Sequence, residues 1–313
     1  MSRRGLWLFV TLGVAWGIPY LLIKIAVTEL SPAELVLART TLAALLLLPI
    51  AALRGAIGPA LRRWKPVAAF TLVEIAIPWL FLNRAETRLP SSTTGLLIAA
   101  VPLVGLLVAF LMGRAERLGR VGWLGLAFGF AGVAALVGLD VGGSDLVAVA
   151  ELGVVVVGYA VGPAILARWL DDTPAIGVIA VALTATALIY LPIVALTGGL
   201  PTTMPSRSVV LSVLLLAVVC TALAFLVLFA LVGEIGPVRA TTITYVNPAV
   251  AVVAGVLVLN EPVTVWTVLG FALVVTGSVL VNRRPSARSV PPTPPSPAVP
   301  PPDFETSLSL ERS

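Results

Sequence analysis

Long apolar runs alternate with short polar connections from Gly5 to Asn282. Ten runs can be delimited, at residues 6–26, 33–53, 66–83, 93–112, 121–139, 146–169, 175–197, 208–232, 239–259 and 263–282. Each approaches the roughly 20 apolar residues that a helix needs to cross a bilayer core about 30 Å thick. The pattern therefore predicts an all-α polytopic membrane protein with ten transmembrane helices embedded in the lipid bilayer.

Composition narrows the chemistry that such a chain can perform. Hydrophobic residues make up 59% of the 313 residues and charged residues only 11%, and ten spans leave no length for a soluble catalytic domain. Histidine is absent and Cys220 is the single cysteine, which argues against histidine metal sites, Ser-His or Cys-His nucleophiles and disulfides. We therefore expect no enzyme activity, no metal and no cofactor. The net charge of +5 is assigned to membrane topology rather than to nucleic-acid binding.

Lysine and arginine residues indicate the orientation of the spans. Fifteen of the 20 lie on one side if the N-terminus is cytoplasmic, as the positive-inside rule requires. Both termini are therefore predicted to be cytoplasmic. Residues 283–313 are rich in proline and serine and are predicted to form a disordered cytoplasmic tail. No oligomeric state is predicted.

Residues 1–140 and 141–282 are predicted to be two copies of one five-helix unit. The matches include residues 48–53 with 191–196, and Glu116, Gly125 and Gly132 with the identically spaced Glu261, Gly270 and Gly277. Because five is odd, the second unit must enter the membrane from the opposite side. The sequence thus predicts inverted repeats around a central cavity, the arrangement that supports alternating access. Duplication kept only for packing is the alternative.

Two charged residues are predicted to lie deep in the membrane, where a charge costs roughly 2.5–3.5 kcal/mol on insertion scales. Arg39 and Glu74 have no charged counterpart in the second unit, so we expect them to serve a substrate or a coupling ion. Glu74 is the candidate for proton coupling, and a structural ion pair between the two is the alternative. Lys24 is expected to reach the headgroups, and Glu151 to reach water.

Aromatic and polar residues beside mid-membrane prolines complete the predicted substrate site. With Arg39, its members are Trp16, Tyr20, Trp79, Tyr159, Tyr245 and Asn247. Proline frees a backbone carbonyl in the preceding turn, which can then bind a ligand or permit bending. Packing or interface anchoring is the alternative role for each aromatic residue. Glu116 and Glu261 recur at helix ends and are assigned to the scaffold.

Several motifs carry a resemblance to a known family. They are Trp16-Gly17, the segment from Pro32-Ala33 to Arg39, residues 99–102, Gly113 to Glu116, Pro248, Asn260-Glu261-Pro262, and Gly270 with Gly277. In these the membrane region resembles the EamA-type permeases of the drug/metabolite transporter superfamily. The resemblance implies a ten-helix pseudo-symmetric bundle in the bacterial plasma membrane that moves a small-molecule substrate.

The expected function is that of a secondary transporter that exports small metabolites such as amino acids by alternating access. No Walker-type phosphate-binding motif is present, so ATP is not expected to drive it directly. A channel or a non-transporting membrane scaffold is the first alternative. An intramembrane enzyme built on Glu74 and Glu151 is the second.

Overall fold

The computed structural model describes residues 2–111, 120–136, 145–198, 203–235, 243–244 and 246–282, and the regular structure among them is helical. The α-helices are α1 (Arg3–Gly17), α2 (Pro19–Ala26), α3 (Pro32–Leu53), α4 (Ile57–Arg62), α5 (Trp64–Phe70), α6 (Ile77–Glu86), α7 (Ser91–Ile98), α8 (Val101–Leu111), α9 (Arg120–Ala135), α10 (Leu146–Trp169), α11 (Ala175–Thr197), α12 (Arg207–Ala217), α13 (Ala224–Ile235), α14 (Asn247–Leu259) and α15 (Val265–Asn282). Two π-helical turns, π1 (Thr71–Ala76) and π2 (Val218–Leu223), join α5 to α6 and α12 to α13.

The predicted spans correspond to these helices. Among the described residues, seven helical segments are long and apolar enough to cross a membrane: Arg3–Ala26, Pro32–Leu53, Trp64–Glu86, Ser91–Val108, Leu146–Trp169, Ala175–Thr197 and Arg207–Ile235. Three shorter apolar helices are Val121–Ala135, Asn247–Leu259 and Val265–Leu280. The prediction of an all-helical polytopic membrane protein is confirmed. The exact number of ten spans and the inverted repeat stay predictions, and the predicted tail lies outside the described residues.

Prolines divide the first span and open the ninth apolar helix. Pro19 follows Ile18 at the junction of α1 and α2, and Pro248 is the second residue of α14. Proline lacks the N–H that would continue the hydrogen-bond ladder, so a helix tends to restart there. Ser31 starts α3 with a complete capping box, in which its side chain and that of Glu34 exchange hydrogen bonds with the backbone.

The two π-helical turns lie at matching places in the two halves of the chain. They begin 147 residues apart, at Thr71 and Val218, in the middle of the third and eighth spans. Pro78 has no N–H to offer the carbonyl of Glu74, which loosens the ladder in the first of them. Single π-turns inside α-helices frequently mark functional sites.

The main helix contacts join the first half of the chain to the second. Helix α3 packs on α11, α7 on α14, and α9 on α15. Helix α6 packs on α10, while α1 packs on α13 and α2 on α12. In span numbers these contacts are 2–7, 4–9, 5–10, 3–6 and 1–8.

Glycines bring α9 and α15 into backbone contact. A Cβ on Gly132 would lie 2.8 Å from the carbonyl oxygen of Gly270, and one on Gly277 would lie 2.5 Å from that of Gly125. Because the earlier residue of one helix meets the later residue of the other, the two helices run antiparallel. Small residues at these positions therefore allow the close approach of the two helices.

Candidate substrate-binding site

Arg39 is a buried cation without an acidic partner. It projects from α3 and is 6% exposed, and its Nε donates a hydrogen bond of 2.9 Å to the hydroxyl of Thr221. Its guanidinium carbon lies 3.8 Å from the centre of the Trp79 ring, a cation–π contact. Among the described residues no carboxylate oxygen lies within 4.0 Å of its nitrogens. The charge is thus held by neutral groups.

The turn π2 shapes the environment of Arg39. Thr221 lies within this turn, and its hydroxyl donates to the carbonyl oxygen of Leu216, five residues earlier, at 2.7 Å. The same oxygen accepts the hydrogen bond from Arg39. The wider π-helical spacing therefore lets one hydroxyl bind a carbonyl of its own helix and a cation from α3.

Glu74 lies in π1, on the neighbouring third span. The residue is half-buried, and its Oε2 atom is fully buried without a hydrogen-bond partner among the described residues. This oxygen faces Gly162 of α10, where a side chain would collide with it. Glu74 and Arg39 do not form an ion pair in this structure, so the alternative of a structural salt bridge between them is wrong for this conformation.

Three of the predicted aromatic residues surround these two charges. Tyr20 and Trp79 are buried, and Tyr159 is half-buried between the two largest hydrophobic clusters. Tyr159 interacts electrostatically with Glu74 and Arg39. Tyr20 interacts electrostatically with Tyr159 and Arg39. Helices from both halves therefore bring Tyr20, Arg39, Glu74, Trp79 and Tyr159 together.

The remaining predicted residues lie elsewhere or outside the described ranges. Trp16 packs edge-on against Phe225 of α13, with ring centres 6.1 Å apart. Asn247 begins α14, and its Oδ1 is buried without a hydrogen-bond partner in the described part of the chain. Tyr245 is one of the residues that are not described, as is Glu116.

Grooves of the structure open away from this cluster. One, of about 270 Å³, is lined by apolar and threonine side chains of α3 and α11, including Leu37, Thr41 and Thr184. Another, of about 300 Å³, lies among Arg62, Lys65 and Trp169 at the predicted cytoplasmic ends. The central cavity stays a prediction. Within the described ranges, no group of three histidine, cysteine or acidic residues could hold a metal ion.

The structure corrects the prediction that Glu151 reaches water. Glu151 is 5% exposed, and its two carboxylate oxygens bind Arg84 Nε at 2.7 Å and Arg88 Nη2. Its negative charge compensates these two arginines, which the sequence had placed on the less basic side of the membrane. Lys24, which was expected to reach the headgroups, instead binds the protein backbone. Its ammonium group donates hydrogen bonds to the carbonyl oxygens of Glu86 and Leu89 at 2.7 and 2.8 Å.

Glu261 connects the two halves as a helix cap. Its carboxylate accepts hydrogen bonds from the backbone N–H groups of Ser91 and Ser92 at 2.7 and 2.9 Å, at the start of α7. Burial would raise the pKa of Glu261, but the hydrogen bonds from Ser92 and Ser91 outweigh it and hold that pKa below its usual range. These contacts support the predicted scaffold role.

Sequence reasoning missed Glu86. The prediction ended the third span at residue 83 and left Glu86 in a charged connection, but α6 continues to Glu86 and buries it completely. The neighbouring Arg84 and Arg88 gave the segment the composition of an exposed loop. The available signal was the helical spacing of the apolar residues Leu82, Ala85 and Leu89, which are all buried.

Comparison with known proteins identifies the family. The sequence profile described as the EamA-like transporter family matches this chain twice, at residues 3–138 and 150–283. The chain belongs to this family. It is therefore a membrane transporter, which agrees with its apolar helices, and its family and relatives indicate a transporter rather than an enzyme.

Relatives of modest sequence identity are also named as transporters. The protein is 29% identical over 273 residues to the "Uncharacterized inner membrane transporter YedA" of Escherichia coli (strain K12), covering 86% of this chain and 87% of the relative. It is 26% identical over 290 residues to the "Probable terminal-alkyne amino-acid exporter" of Streptantibioticus cattleyicolor, covering 91% and 95%. A solved crystal structure is similar with a TM-score of 0.65 at 21% identity, covering 90% of this chain and 97% of that chain, and shows that the fold is shared.

Proposed function

We propose that this transporter exports small metabolites that carry a carboxylate, with amino acids as the favoured class, across the bacterial plasma membrane. The observation that carries the proposal is the buried, unpaired Arg39 at the centre of the predicted site. Export by alternating access is coupled to protons through Glu74.

The side chain of Arg39 is well placed to bind an anion. A guanidinium group has five N–H donors, and one of those of Arg39 is used by Thr221. The others have no hydrogen-bond partner among the described residues. Burying a charge is costly unless it is paired, so a carboxylate that docks here replaces lost hydration with charge-assisted hydrogen bonds. Trp79 and Thr221 fix the guanidinium plane in advance.

Glu74 provides the second half of the proposed mechanism. Its buried Oε2 lacks a hydrogen-bond donor, and Tyr159 lies close enough to both Glu74 and Arg39 to interact with each. Intramembrane carboxyl groups facing the interior of a bundle often serve as proton relays. Loss of a proton from Glu74 would add a negative charge near Arg39 and so compete with a substrate carboxylate.

The packing of the helices supports alternating access. The contacts between spans 2–7, 4–9 and 5–10, together with the reciprocal pair 1–8 and 3–6, are those that a two-fold axis relating two five-helix units would produce. The contact of Gly132 with Gly270 and that of Gly277 with Gly125 are also exchanged by the same operation. Such a scaffold has two equivalent arrangements, one open to each side.

Contacts between helix ends support the predicted topology. Glu29 accepts a hydrogen bond from the backbone N–H of Ser206 at 2.7 Å, which joins two connections predicted to be outside. Arg63 binds Asp172 at 2.7 Å and joins two connections predicted to be cytoplasmic. Substrate class and direction draw further support from the relative named as an amino-acid exporter.

The test is a comparison of extracellular metabolites from bacterial cells expressing the wild type, Arg39→Gln, Glu74→Gln or no transporter. We expect an amino acid or related carboxylate to accumulate outside with the wild type. Loss of hydrogen bonds to a charged group costs about 1.5–3 kcal/mol, so Arg39→Gln should lower export about ten- to a hundredfold at limiting substrate.

The matched control is Arg207→Gln, which removes an exposed arginine at the start of α12. It should export like the wild type at equal membrane abundance. Equal export by Arg39→Gln, or accumulation of compounds without a carboxylate, would contradict the proposed role of Arg39. Flux that does not saturate would favour the channel instead.

A further inference from the structure

The carboxyl group of Glu86 is buried without any hydrogen bond. Glu86 is the last residue of α6 and is 0% exposed, and neither of its carboxyl oxygens has a partner among the described residues. An ionised carboxylate in that position would lose its hydration without compensation. A neutral carboxyl group can be buried at a much lower free-energy cost, because desolvation strongly disfavours only the charged form.

Lys24 lies beside Glu86 but does not bind its side chain. Its ammonium group donates to the backbone carbonyl oxygens of Glu86 and Leu89, which lie where α6 ends and therefore lack intrahelical partners. Lys24 interacts electrostatically with the Glu86 carboxyl group all the same. A cation within reach thus has two alternative sets of acceptors, the backbone carbonyls and the Glu86 carboxylate.

The other groups on the neighbouring elements do not supply a second cation. Glu261, in the connection between α14 and α15, is an anion that interacts with Glu86, and its oxygens are taken by the cap on α7. The hydroxyl oxygen of Ser91 at that cap is buried and has no partner in the described part of the chain. From α2, Tyr20 interacts with Glu86 but carries no charge.

The charged groups on the remaining packed helices are already engaged. On α10, Glu151 is paired with Arg84 and Arg88. On α3, Glu34 belongs to the cap of its own helix, and Arg39 is bound by Thr221 and Trp79. The π1 turn carries Glu74, which belongs to the central cluster. Glu86 and Lys24 are thus a carboxyl–ammonium pair at the C-terminal end of α6, and the anion Glu261 is the other charged group that interacts with Glu86.

We propose that Glu86 is a proton-binding site, separate from Glu74, whose occupancy determines what Lys24 binds. With the proton bound, the carboxyl group is neutral and Lys24 holds the carbonyl oxygens of Glu86 and Leu89. When the proton leaves to the outer aqueous phase, the resulting carboxylate binds the ammonium group of Lys24. The turn between α6 and α7 then loses the hydrogen bonds that Lys24 donates to the carbonyl oxygens of Glu86 and Leu89. The proton gradient would then act on this transporter at two depths, an idea that rests on the proposed function, although proton binding itself does not require transport.

The experiment is an infrared titration of the purified protein in lipid nanodiscs, which detects the carbonyl stretch of protonated carboxyl groups as the pH is raised. All variants carry Glu74→Gln so that Glu74 does not contribute. We expect a band that disappears on raising the pH, and its absence in the Glu86→Gln variant. Glu29→Gln is the control and should leave the band unchanged, because hydrogen bonds from Ser206 hold the pKa of the exposed Glu29 below its usual range.

A second variant tests the partnership and does not depend on the folding of Glu86→Gln. In Lys24→Met the ammonium group that stabilises the ionised form is gone, so the midpoint of the band's titration should rise by about one pH unit or more. The proposal would be overturned if the carbonyl band persisted in Glu86→Gln. It would also be overturned if Lys24→Met left the midpoint pH of the band's titration unchanged. Loss of the band on adding sodium chloride but not potassium chloride at constant pH would reassign the site to a sodium ion. None of these readouts depends on flux, so this proposal and the proposed export can fail separately.

Discussion

Arg39 and Glu151 are buried to the same degree, yet the protein treats their charges in opposite ways. Glu151, 5% exposed, binds Arg84 at the end of the neighbouring span and Arg88 just after it. Arg39, 6% exposed, contacts the Thr221 hydroxyl and the Trp79 ring and has no acidic partner among the described residues. The paired charge joins two helices at the C-terminal end of the third span. The unpaired charge lies between α3, α6 and π2, and most of its N–H donors have no partner in the part of the chain that the structure describes. Burial alone therefore does not show whether a charge has an ionic partner.

The third span and α10 are held together by different means along their length. Near the C-terminal end of the third span the contact is ionic, through Glu151. At π1, in the middle of that span, it is a backbone contact, because a Cβ on Gly158 would collide with the carbonyl oxygen of Val73 and lie 2.7 Å from Pro78. This difference, together with that between Arg39 and Glu151, yields three predictions about stability.

The largest effect is expected for Gly158→Ala. The new methyl group meets the backbone of π1, which cannot yield as a flexible side chain would, and overpacking of this kind costs about 1–3 kcal/mol. We expect a lower melting temperature for the purified protein in detergent. Gly153→Ala on the same helix is the matched control, since a Cβ there has nothing within 4 Å. If Gly158→Ala and Gly153→Ala had the same melting temperature, the backbone contact would not stabilise the packing of these helices.

Glu151→Gln should have a smaller but clear effect. Removing one partner of a fully buried ion pair costs about 3–5 kcal/mol. The side chains of Arg84 and Arg88 are 51% and 33% exposed, however, and water can partly replace the lost carboxylate, so we expect about 1–2 kcal/mol. Thermal unfolding against Asp145→Asn, whose side chain does not cap α10, measures this. A melting temperature equal to that control would show that the ionic contact contributes nothing.

The smallest effect on stability is expected for Arg39→Met. Replacing a buried charge by an apolar side chain of similar length is often neutral or stabilising, because the desolvation of the cation is avoided. The free energy of unfolding should therefore stay within about 0.5 kcal/mol of the wild-type value or rise, while export is lost. Thermal unfolding of the purified protein measures the first and the export assay the second. A destabilisation as large as that of Glu151→Gln would make Arg39 a structural residue and remove the contrast between the two charges.

Sequence reasoning placed the helices well because membrane spans depend on local composition. It also selected Arg39, Glu74, Tyr20, Trp79 and Tyr159, which the structure brings together, because charges and polar aromatic residues stand out in apolar helices. The grouping itself depends on contacts between spans that are distant in the chain.

The sequence misjudged residues whose environment is set by other helices. Glu86 had the composition of a loop, and only the continuation of α6 against α2 and α7 buries it. Glu151 was expected to reach water, because its partners Arg84 and Arg88 are more than sixty residues away in the chain.

By itself, then, the sequence determined the helical membrane class, the family and which charged residues lie within apolar runs. These follow from hydropathy and local motifs, which act over about twenty residues at a time. The tertiary structure decided which charges are paired, because a salt bridge or a cation–π contact depends on a few ångströms between helices. That distance distinguishes Glu151, which binds two arginines, from Arg39, which contacts a threonine hydroxyl and an indole ring.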